Sequence, residues 1–168
     1  MISIPLSSPL SEPCYNVPIM TKRGWLSDKE YDAIYSRVPR VCVDVVVHAP
    51  TGVLLAYRTL APHKNHWHLP GGRVRFGETL AQAAERLVLE ETGYRTLVGP
   101  IIGAMEFNRE RQRGRPRHTV SVVLSATPLR GEKAGVGIFP RVRFFKTMPQ
   151  PTARPHADFL LKKKLIRR

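Results

Sequence analysis

Hydrophobic and polar positions in the middle of the chain predict a β-hairpin followed by a helix. Two apolar, β-branched runs flank the turn-forming residues 49–52, so the segment 41–59 predicts a hairpin. From Thr79 to Thr92, apolar residues recur every three or four positions, and Gly93 follows them. This spacing predicts one amphipathic helix that ends at the glycine.

The flanking segments predict the remaining elements. Ser27 and Glu30 have the spacing of a capping box, which predicts a short helix at about 28–37 that ends before Pro39. Strands are expected at about 97–107, 119–127 and 138–147, and a last helix at about 156–165. Strands and helices intermix without an internal repeat, so the fold class is α/β or α+β.

The length of 168 residues suits one domain. We expect a loose arm rich in Pro and Ser over 1–26, a domain over 27–148, and a basic tail or helix over 149–168. No apolar run reaches the ~18 residues that span a membrane, and the start of the chain reads poorly as a secretion signal. Cys14 and Cys42 lack metal-ligand spacing and are interpreted as reduced thiols of a cytoplasmic protein.

The formal net charge of +14 implies anionic partners. Five arginines lie within 109–117 and further cations within 161–168. They are either solvated charge in a loop and a tail, or a rim that attracts an anionic substrate. Neither segment has the interleaved aromatics of a single-strand-binding platform, so specific nucleic-acid binding is not expected.

Asp44 is a charged residue inside a run of valines. A buried carboxylate needs a partner, and Arg40 or Arg58 would supply one. Alternatively, Asp44 faces a ligand. The sequence leaves both interpretations open.

The stretch from Leu69 to Tyr94 concentrates residues suited to binding phosphate and metal. The two glycines at 71–72 let the backbone approach a ligand closely. Arg86 and Glu90 are one helical turn apart, so Arg86 is able to orient Glu90 or Glu78.

Glu91 follows Leu87 by one turn and therefore continues the apolar stripe towards the protein interior. A carboxylate is costly to bury there without a cation. Clustered oxygen ligands suit Mg²⁺, with Mn²⁺ as an alternative, bridging to a substrate diphosphate. An ordinary surface helix with Glu–Arg pairs is the simpler interpretation of any one pair.

The whole arrangement resembles the Nudix box, GX5EX7REUXEEXGU, which implies an α/β/α sandwich with a mixed β-sheet. The match runs from Gly72 to Tyr94 and departs at one defining position, where Leu87 replaces a glutamate. The matching residues are Gly72, Glu78, Arg86, Glu90, Glu91 and Gly93.

The Arg86-Leu87 pair is similar to the GDP-mannose mannosyl hydrolase branch, in which water attacks the anomeric carbon of the sugar. By that resemblance Arg58 and Arg73 stabilise the diphosphate leaving group, and Asp44 binds sugar or base. The resemblance also implies that Glu91, the Gly71 carbonyl and Glu90 hold the metal, with Arg86 and Glu90 in the catalytic set; it extends over about 38–128.

One departure from that branch concerns the general base. The branch has a Gln-His pair late in the chain, whereas residues 137–144 here contain neither residue. Glu106, Glu110 and His118 are candidates, although His118 is more simply structural or exposed. His63, His66 and His68 are interpreted as part of a loop near the substrate, so the base is unassigned.

Three functions follow from these residues. The first is Mg²⁺-dependent hydrolysis of a small-molecule nucleotide sugar such as GDP-mannose, by a protein that pairs as a homodimer if it follows the branch. The second is a Nudix pyrophosphatase that cleaves a P–O bond. The third is a nucleotide-binding module that has lost the chemistry.

Overall fold

A computed structural model of the chain describes residues 26–60, 63–112, 114–133 and 137–168. The arm expected over 1–26 therefore lies outside the described residues except for Leu26. The elements in chain order are α1 (Asp28–Tyr35), β1 (Arg40–Ala49), β2 (Gly52–Tyr57), β3 (Trp67–His68), β4 (Gly71–Arg73), α2 (Leu80–Thr92), β5 (Tyr94–Gln112), β6 (Arg115–Lys133), β7 (Val142–Phe145) and α3 (Arg154–Lys162).

The strands form a mixed sheet with the path β3-β2-β1-β6-β5, to which β4 and β7 attach at β1 and β2. β1 runs parallel to β6 and antiparallel to both β2 and β4. One edge of β1 thus pairs with two strands in turn. It holds β4 opposite Cys42–Asp44 and β2 opposite His48 and Ala49.

Alternate residues of β1 pack into two cores on opposite faces of this sheet. Val43, Val45 and Val47 pack against the apolar side of α2. Val46 belongs to the other core, together with Phe159 and Leu160 of α3. The predicted α/β/α sandwich with a mixed sheet is therefore confirmed.

Helix α2 begins and ends where the sequence predicts. The side chain of Thr79 accepts a hydrogen bond from the Gln82 N–H, and the Gln82 side chain completes a capping box. Gly93 ends the helix in the left-handed conformation, with φ of 77°, which glycine adopts without a Cβ penalty. The predicted hairpin at 41–59 is likewise present as β1 and β2.

The arginine-rich segment 109–117 differs from the expected loop. Its backbone continues the β5–β6 ladder as far as the pair Gln112 and Arg115, and the turn contains Gly114 with φ of 75°. Main-chain pairing is independent of side-chain charge, so the arginines do not prevent it. Arg117 is buried and forms an ion pair with Asp32 of α1, so it is not solvated charge.

The segment 149–168 contains α3 and is more than a tail. Phe159 and Leu160 are buried in the core, and Ile166 packs with them. The predicted helix begins two residues earlier than expected, at Arg154, where Pro155 suits the first turn. In the part of the chain that is described, every helix falls short of the length and apolar character that a membrane crossing requires.

Candidate active site

A cavity of about 210 Å³ opens on the α3 face of the sheet, next to the place where β4 pairs with β1. Its lining includes residues that the sequence singled out, namely Asp44, Arg58, Gly71, Gly72 and Arg73, together with Arg40, His63 and His68. Residues from α1, β3, β5, β6 and α3 complete the wall. The candidate site therefore draws on nearly the whole length of the domain.

Asp44 projects from β1 into this cavity and is 7% exposed. Its Oδ2 accepts a short hydrogen bond from the Ser121 hydroxyl of β6. Its Oδ1 lies 4.0 Å from His156 Nδ1. Burial lowers the pKa of His156 well below its usual value, so the ring is neutral and the contact is not an ion pair. Asp44 therefore lies in the cavity wall with Ser121 and His156 as neighbours.

Gly71 lies directly opposite Asp44 in the strand pair and makes the tightest approach in the site. A Cβ atom at this position would lie 2.3 Å from Asp44 Oδ1 and 2.5 Å from the Val43 carbonyl oxygen. Both distances are far below van der Waals contact, so only glycine fits. The sequence predicts close approach to a ligand at 71–72, whereas the close neighbours of Gly71 are Asp44 and Val43 of β1.

Glu91 reaches the same glycine from α2. Its Oε2 accepts a hydrogen bond of 3.1 Å from the Gly71 N–H, and the residue is 7% exposed. Burial raises the pKa of Glu91 to about 8, although the Gly71 hydrogen bond and nearby Arg58 oppose this shift. A carboxylate buried at this cost is suited to a cation that would stabilise its charged form.

Arg86 organises the two other carboxylates of the motif. Its Nε and Nη2 donate to Glu78, and its Nη1 donates to Glu90 at 3.1 Å. Arg86 Nη2 also donates to the Arg73 carbonyl oxygen at 3.1 Å, which ties the helix to β4. Hydrogen bonds from Arg86 lower the pKa of Glu78. Arg86 therefore orients both Glu78 and Glu90, where the sequence left a choice.

Glu90 has different neighbours from Glu91. Arg75 Nη2 donates to Glu90 at 3.2 Å, and the Glu90 side chain is 44% exposed. Its carboxylate is thus bound by two guanidinium groups on the outer side of α2, whereas Glu91 points inward to Gly71. A metal at this site would rely on Glu91 first.

Leu87 occupies the position where the Nudix box has a glutamate, and it is a core residue. It is buried together with Ala83, Ala84 and Val88. A Cβ atom on Gly72 would lie 3.0 Å from Leu87 Cδ2, so the leucine side chain packs directly on β4. Apolar packing replaces a charged group at this point of the helix.

The donor set fits a hard cation that keeps water and substrate among its ligands. Glu91 supplies a buried carboxylate, and Gly71 would supply a carbonyl oxygen next to it. Among the described residues, no three His, Cys, Asp or Glu side chains are grouped to hold a metal. Mg²⁺ commonly binds through one or two carboxylates together with waters and substrate phosphates, so this sparse set is compatible with it.

Arginines and a tyrosine form the opposite wall. Arg40 donates to the Tyr31 hydroxyl at 2.6 Å and to Thr119, and Arg73 lies 4.6 Å from the centre of the Tyr31 ring. Arg58 donates from Nε to the Leu60 carbonyl oxygen at 3.0 Å. This wall concentrates positive charge beside the Glu91–Gly71 contact, which suits a diphosphate.

Two histidines lie in the cavity wall: the sequence predicts His68 near the substrate, although in a loop rather than in β3, and gives no role to His156. His68 of β3 and His156 of α3 are both buried, and their ring centres are 6.1 Å apart. The Leu69 N–H donates to His156 Nδ1 at 3.1 Å. His156 is the first residue of the helix expected at about 156–165, and only tertiary structure places it in the cavity wall.

The candidates for a general base lie elsewhere. Glu106 is exposed between Met105 and Phe107, which face α3, so it points to the opposite face of the sheet. His118 alternates in the same way with pocket-lining Thr119. The side chain of Glu110 lies outside the described part of the chain. His66 is only partly buried and does not line the cavity, whereas His63 and His68 do.

Phe139 lies in the segment that lacks the Gln-His pair. It is buried, with its ring 5.1 Å from that of His68 and 6.0 Å from the Arg58 guanidinium carbon. The Ile138 and Phe139 N–H groups donate to the carbonyl oxygens of Glu90 and Glu91. This segment therefore closes the end of α2 and packs an aromatic ring against His68.

Comparison with known proteins identifies the class to which this fold and motif belong. The NUDIX domain matches residues 38–162, which is most of the chain. The chain therefore belongs to the NUDIX domain family.

Individual relatives match over shorter stretches. The low-salt glycan biosynthesis protein Agl8 of Haloferax volcanii is 38% identical over 81 residues, covering 48% of this chain and 52% of that protein. An ADP-ribose pyrophosphatase of Methanocaldococcus jannaschii is 36% identical over 98 residues, covering 58% of this chain and 56% of that protein. The chain thus spans about half the length of these two relatives.

A solved structure shares the fold. The crystal structure of a MutT NUDIX hydrolase from Burkholderia pseudomallei superposes with a TM-score of 0.61 and 23% identity, covering 74% of this chain and 97% of that one. The described elements of the chain therefore form a NUDIX fold.

Proposed function

We propose that the protein hydrolyses a nucleotide sugar with the help of Mg²⁺ or Mn²⁺, releasing the sugar from its nucleoside diphosphate. GDP-mannose is the substrate to test first. The observation that carries the proposal is the convergence of Asp44, Arg58 and Arg73 on one cavity next to the Glu91–Gly71 contact. Anionic and hydroxyl-bearing parts of one ligand would both find partners there.

The arginines would bind the diphosphate and stabilise the negative charge that develops on it as the bond breaks. Arg58 and Arg73 line the cavity, and Arg73 is held in place by its contact with Tyr31. Asp44 is fixed by Ser121 and would accept hydrogen bonds from sugar hydroxyls. These residues position the reactants, which alone lowers the barrier substantially.

A divalent cation bound by Glu91 and the Gly71 carbonyl oxygen would neutralise charge on the diphosphate. Arg86 would keep Glu78 and Glu90 in place at the end of the site. The 36% identical ADP-ribose pyrophosphatase and the glycan biosynthesis protein are consistent with a substrate in which a sugar is attached to a diphosphate.

Leu87 favours attack at the anomeric carbon rather than at phosphorus. Attack at phosphorus in this family is expected to use the glutamate that Leu87 replaces, and here that position is apolar and buried. Water would add to the sugar carbon as the C–O bond breaks, and the electron pair would leave with the diphosphate. The added water would give up its proton, so the products would be the free sugar and the nucleoside diphosphate.

Cleavage of a P–O bond is the second candidate, and the ADP-ribose pyrophosphatase relative favours it. In that reaction the products from GDP-mannose would be GMP and mannose phosphate. Glu90 and Glu91 would take part in this reaction, and the general base would be another residue.

Hydrolysis of GDP-mannose with Mg²⁺ in ¹⁸O-labelled water distinguishes these reactions. We expect the label in mannose, with unlabelled GDP, as shown by mass spectrometry of the products. Label in a phosphate product would establish the second candidate instead. The absence of turnover with GDP-mannose, ADP-ribose and other nucleotide sugars, in Mg²⁺ and in Mn²⁺, would overturn the proposal.

A further inference from the structure

His68 lies in the wall of the candidate site and has a buried ring nitrogen. The residue is 3% exposed, lines the cavity and lies against Phe139 and His156. Its Nε2 is buried without a hydrogen-bond partner among the described residues. Buried polar atoms are nearly always satisfied, so an unsatisfied atom beside a cavity indicates a ligand contact.

The contact at the other ring nitrogen defines what Nε2 can do. His68 Nδ1 lies 2.6 Å from the Leu69 carbonyl oxygen, and a carbonyl oxygen only accepts hydrogen bonds. The proton of the neutral ring is therefore on Nδ1, and Nε2 carries a lone pair. Burial, with a contribution from Arg58, lowers the pKa of His68 to about 3, so Nε2 remains an acceptor at neutral pH.

We propose that His68 determines specificity by accepting, at Nε2, a hydrogen bond from a hydroxyl group on the non-nucleotide part of the substrate. The inference rests on the proposed function for the location of the substrate and adds to it a residue that distinguishes a glycosyl group from a bare phosphate.

The cavity is lined by both hydrogen-bond acceptors and donors, and its acceptors support a hydroxyl as the partner. Asp44 and His68 Nε2 are acceptors, whereas Arg40, Arg58 and Arg73 are donors. A phosphate oxygen beside Nε2 would face another acceptor and lose its own hydrogen bond. A hydroxyl donates to Nε2, so a ligand with a hydroxyl-rich end and an anionic end matches both sets of partners.

The geometry of the ring is fixed, which makes the contact selective. The edge of the ring packs at 84° to Phe139, and a second ring, that of His156, lies at 84° to it. Rotation of the ring about χ2 would break the buried hydrogen bond at Nδ1, so the ring keeps its orientation. Nε2 therefore offers one direction of approach to a ligand hydroxyl.

The test compares GDP-mannose with GDP, which has the same nucleotide and diphosphate but no glycosyl group. His68→Phe keeps a planar ring and removes the acceptor, and His68→Gln returns an acceptor at a similar distance from the backbone. His118→Phe is the matched control, because His118 also has a partly buried ring with an unpartnered Nε2 but does not line the cavity.

Equilibrium dissociation constants are measured by calorimetry in EDTA, where a metal-dependent reaction does not run. For His68→Phe we expect GDP-mannose to bind about 10-fold to 100-fold more weakly, the range for leaving one hydrogen-bonding group unpaired. GDP affinity is expected to change less than about 3-fold. His68→Gln should recover part of the loss for GDP-mannose, and His118→Phe should leave both affinities unchanged.

Equal losses for GDP and GDP-mannose would overturn the inference, because a damaged cavity weakens both ligands. Unchanged affinities would also overturn it and would leave a water molecule as the partner of Nε2. If His68→Phe does not fold, the ¹⁵N shift of His68 Nε2 in the wild type provides the answer. This chemical shift should change on addition of GDP-mannose and stay constant with GDP. A shift that changes with GDP but not with GDP-mannose would contradict the inference.

Failure of the proposed function would be seen in turnover measurements rather than in these binding measurements. A wild-type protein that binds GDP-mannose but does not hydrolyse it in Mg²⁺ or Mn²⁺ would contradict the reaction only. The selectivity of His68→Phe would then still decide the role of His68, because binding is measured without turnover.

Discussion

Glu91 is the residue on which metal binding should depend most strongly. It supplies the buried carboxylate beside Gly71, so Glu91→Gln should lower Mg²⁺-dependent turnover of GDP-mannose about 100-fold or more, within the range for ligands and their supports. Glu85→Gln is the control, because Glu85 is exposed on the same helix. Steady-state kinetics in saturating Mg²⁺ measures the effect, and unchanged turnover would exclude Glu91 as a ligand.

The raised pKa of Glu91 predicts how stability depends on pH without metal. Because its pKa is raised from 4.5 to about 8 by burial, the folded state holds a proton that the unfolded state releases in this range. Its stabilising contribution is complete below about pH 4.5 and is lost as the pH rises through 8. The free energy of unfolding, measured with urea in EDTA, should differ between wild type and Glu91→Gln. This difference should change with pH by up to about 1.4 kcal/mol per pH unit.

Metal should reverse this trend, since a cation stabilises the carboxylate form. The increase in melting temperature caused by Mn²⁺ should therefore become larger between pH 6 and pH 8, a range below the raised pKa of Glu91. A pH-independent effect of Mn²⁺ would mean that the ion binds to a group other than Glu91.

Leu87 distinguishes an altered reaction from a damaged one. Leu87→Glu would place a carboxylate in the apolar contact with Gly72, so we expect it to lower stability by about 2–5 kcal/mol, as a large core change does, without improving sugar release. Leu87→Met is the control that keeps the volume. A large gain in GMP and mannose phosphate would show instead that the chain is an impaired pyrophosphatase.

At the residue scale, the sequence predicts the residues of the Nudix motif better than the residues that line the cavity. The inward direction of Glu91 follows from its position one turn after Leu87, and its burial is observed. The sequence predicts His68 only as part of a loop near the substrate and gives no role to His156. Their role depends on β3 and α3 meeting across the sheet, and no spacing along the chain encodes a contact between residues 69 and 156.

At the scale of elements, α1 is attached through Tyr31, which contacts Arg40 and Arg73, and through Asp32. No residue of α1 is buried, yet Asp32 pairs with buried Arg117 and, at 3.3 Å, with Arg115. Asp32→Asn should destabilise the protein by about 3 kcal/mol, because it leaves a buried guanidinium without its carboxylate. Urea unfolding measures this change.

Asp158→Asn is the matched control for that experiment. Asp158 pairs with Arg154 at 3.6 Å on α3, and both side chains are largely exposed, so its loss should cost less than about 1 kcal/mol. Equal effects of the two substitutions would show that the Asp32 pair contributes no more than a surface ion pair.

The elements themselves were largely predictable, since periodicity and capping residues act locally. The capping box of α1, the end of α2 at Gly93 and the β1–β2 turn are present as predicted. The β5–β6 hairpin is longer than predicted because arginines at 109–117 suggested solvent exposure. Backbone pairing carries the strands past them, and α1 supplies the acidic partner for Arg117, which the sequence does not reveal.

At the scale of the whole molecule, the net charge of +14 has a local counterpart in the arginine wall of the cavity. Arg40, Arg58 and Arg73 are close to one another there, whereas many other cations are spread over the surface. Composition alone predicts an anionic partner. Only the fold shows which cations converge on one place.

Site residues that contact each other lie far apart in the sequence, and this determines when the cavity can form during synthesis. Asp44 meets Ser121 after 77 residues, Arg40 meets Thr119 after 79, and Leu69 meets His156 after 87. A growing chain that has left the ribosome only as far as β5 would contain the complete Nudix motif. It would still lack β6 and α3, which complete the cavity wall. Newly made copies would therefore gain their ligand only after α3 has been synthesised and has docked on the sheet.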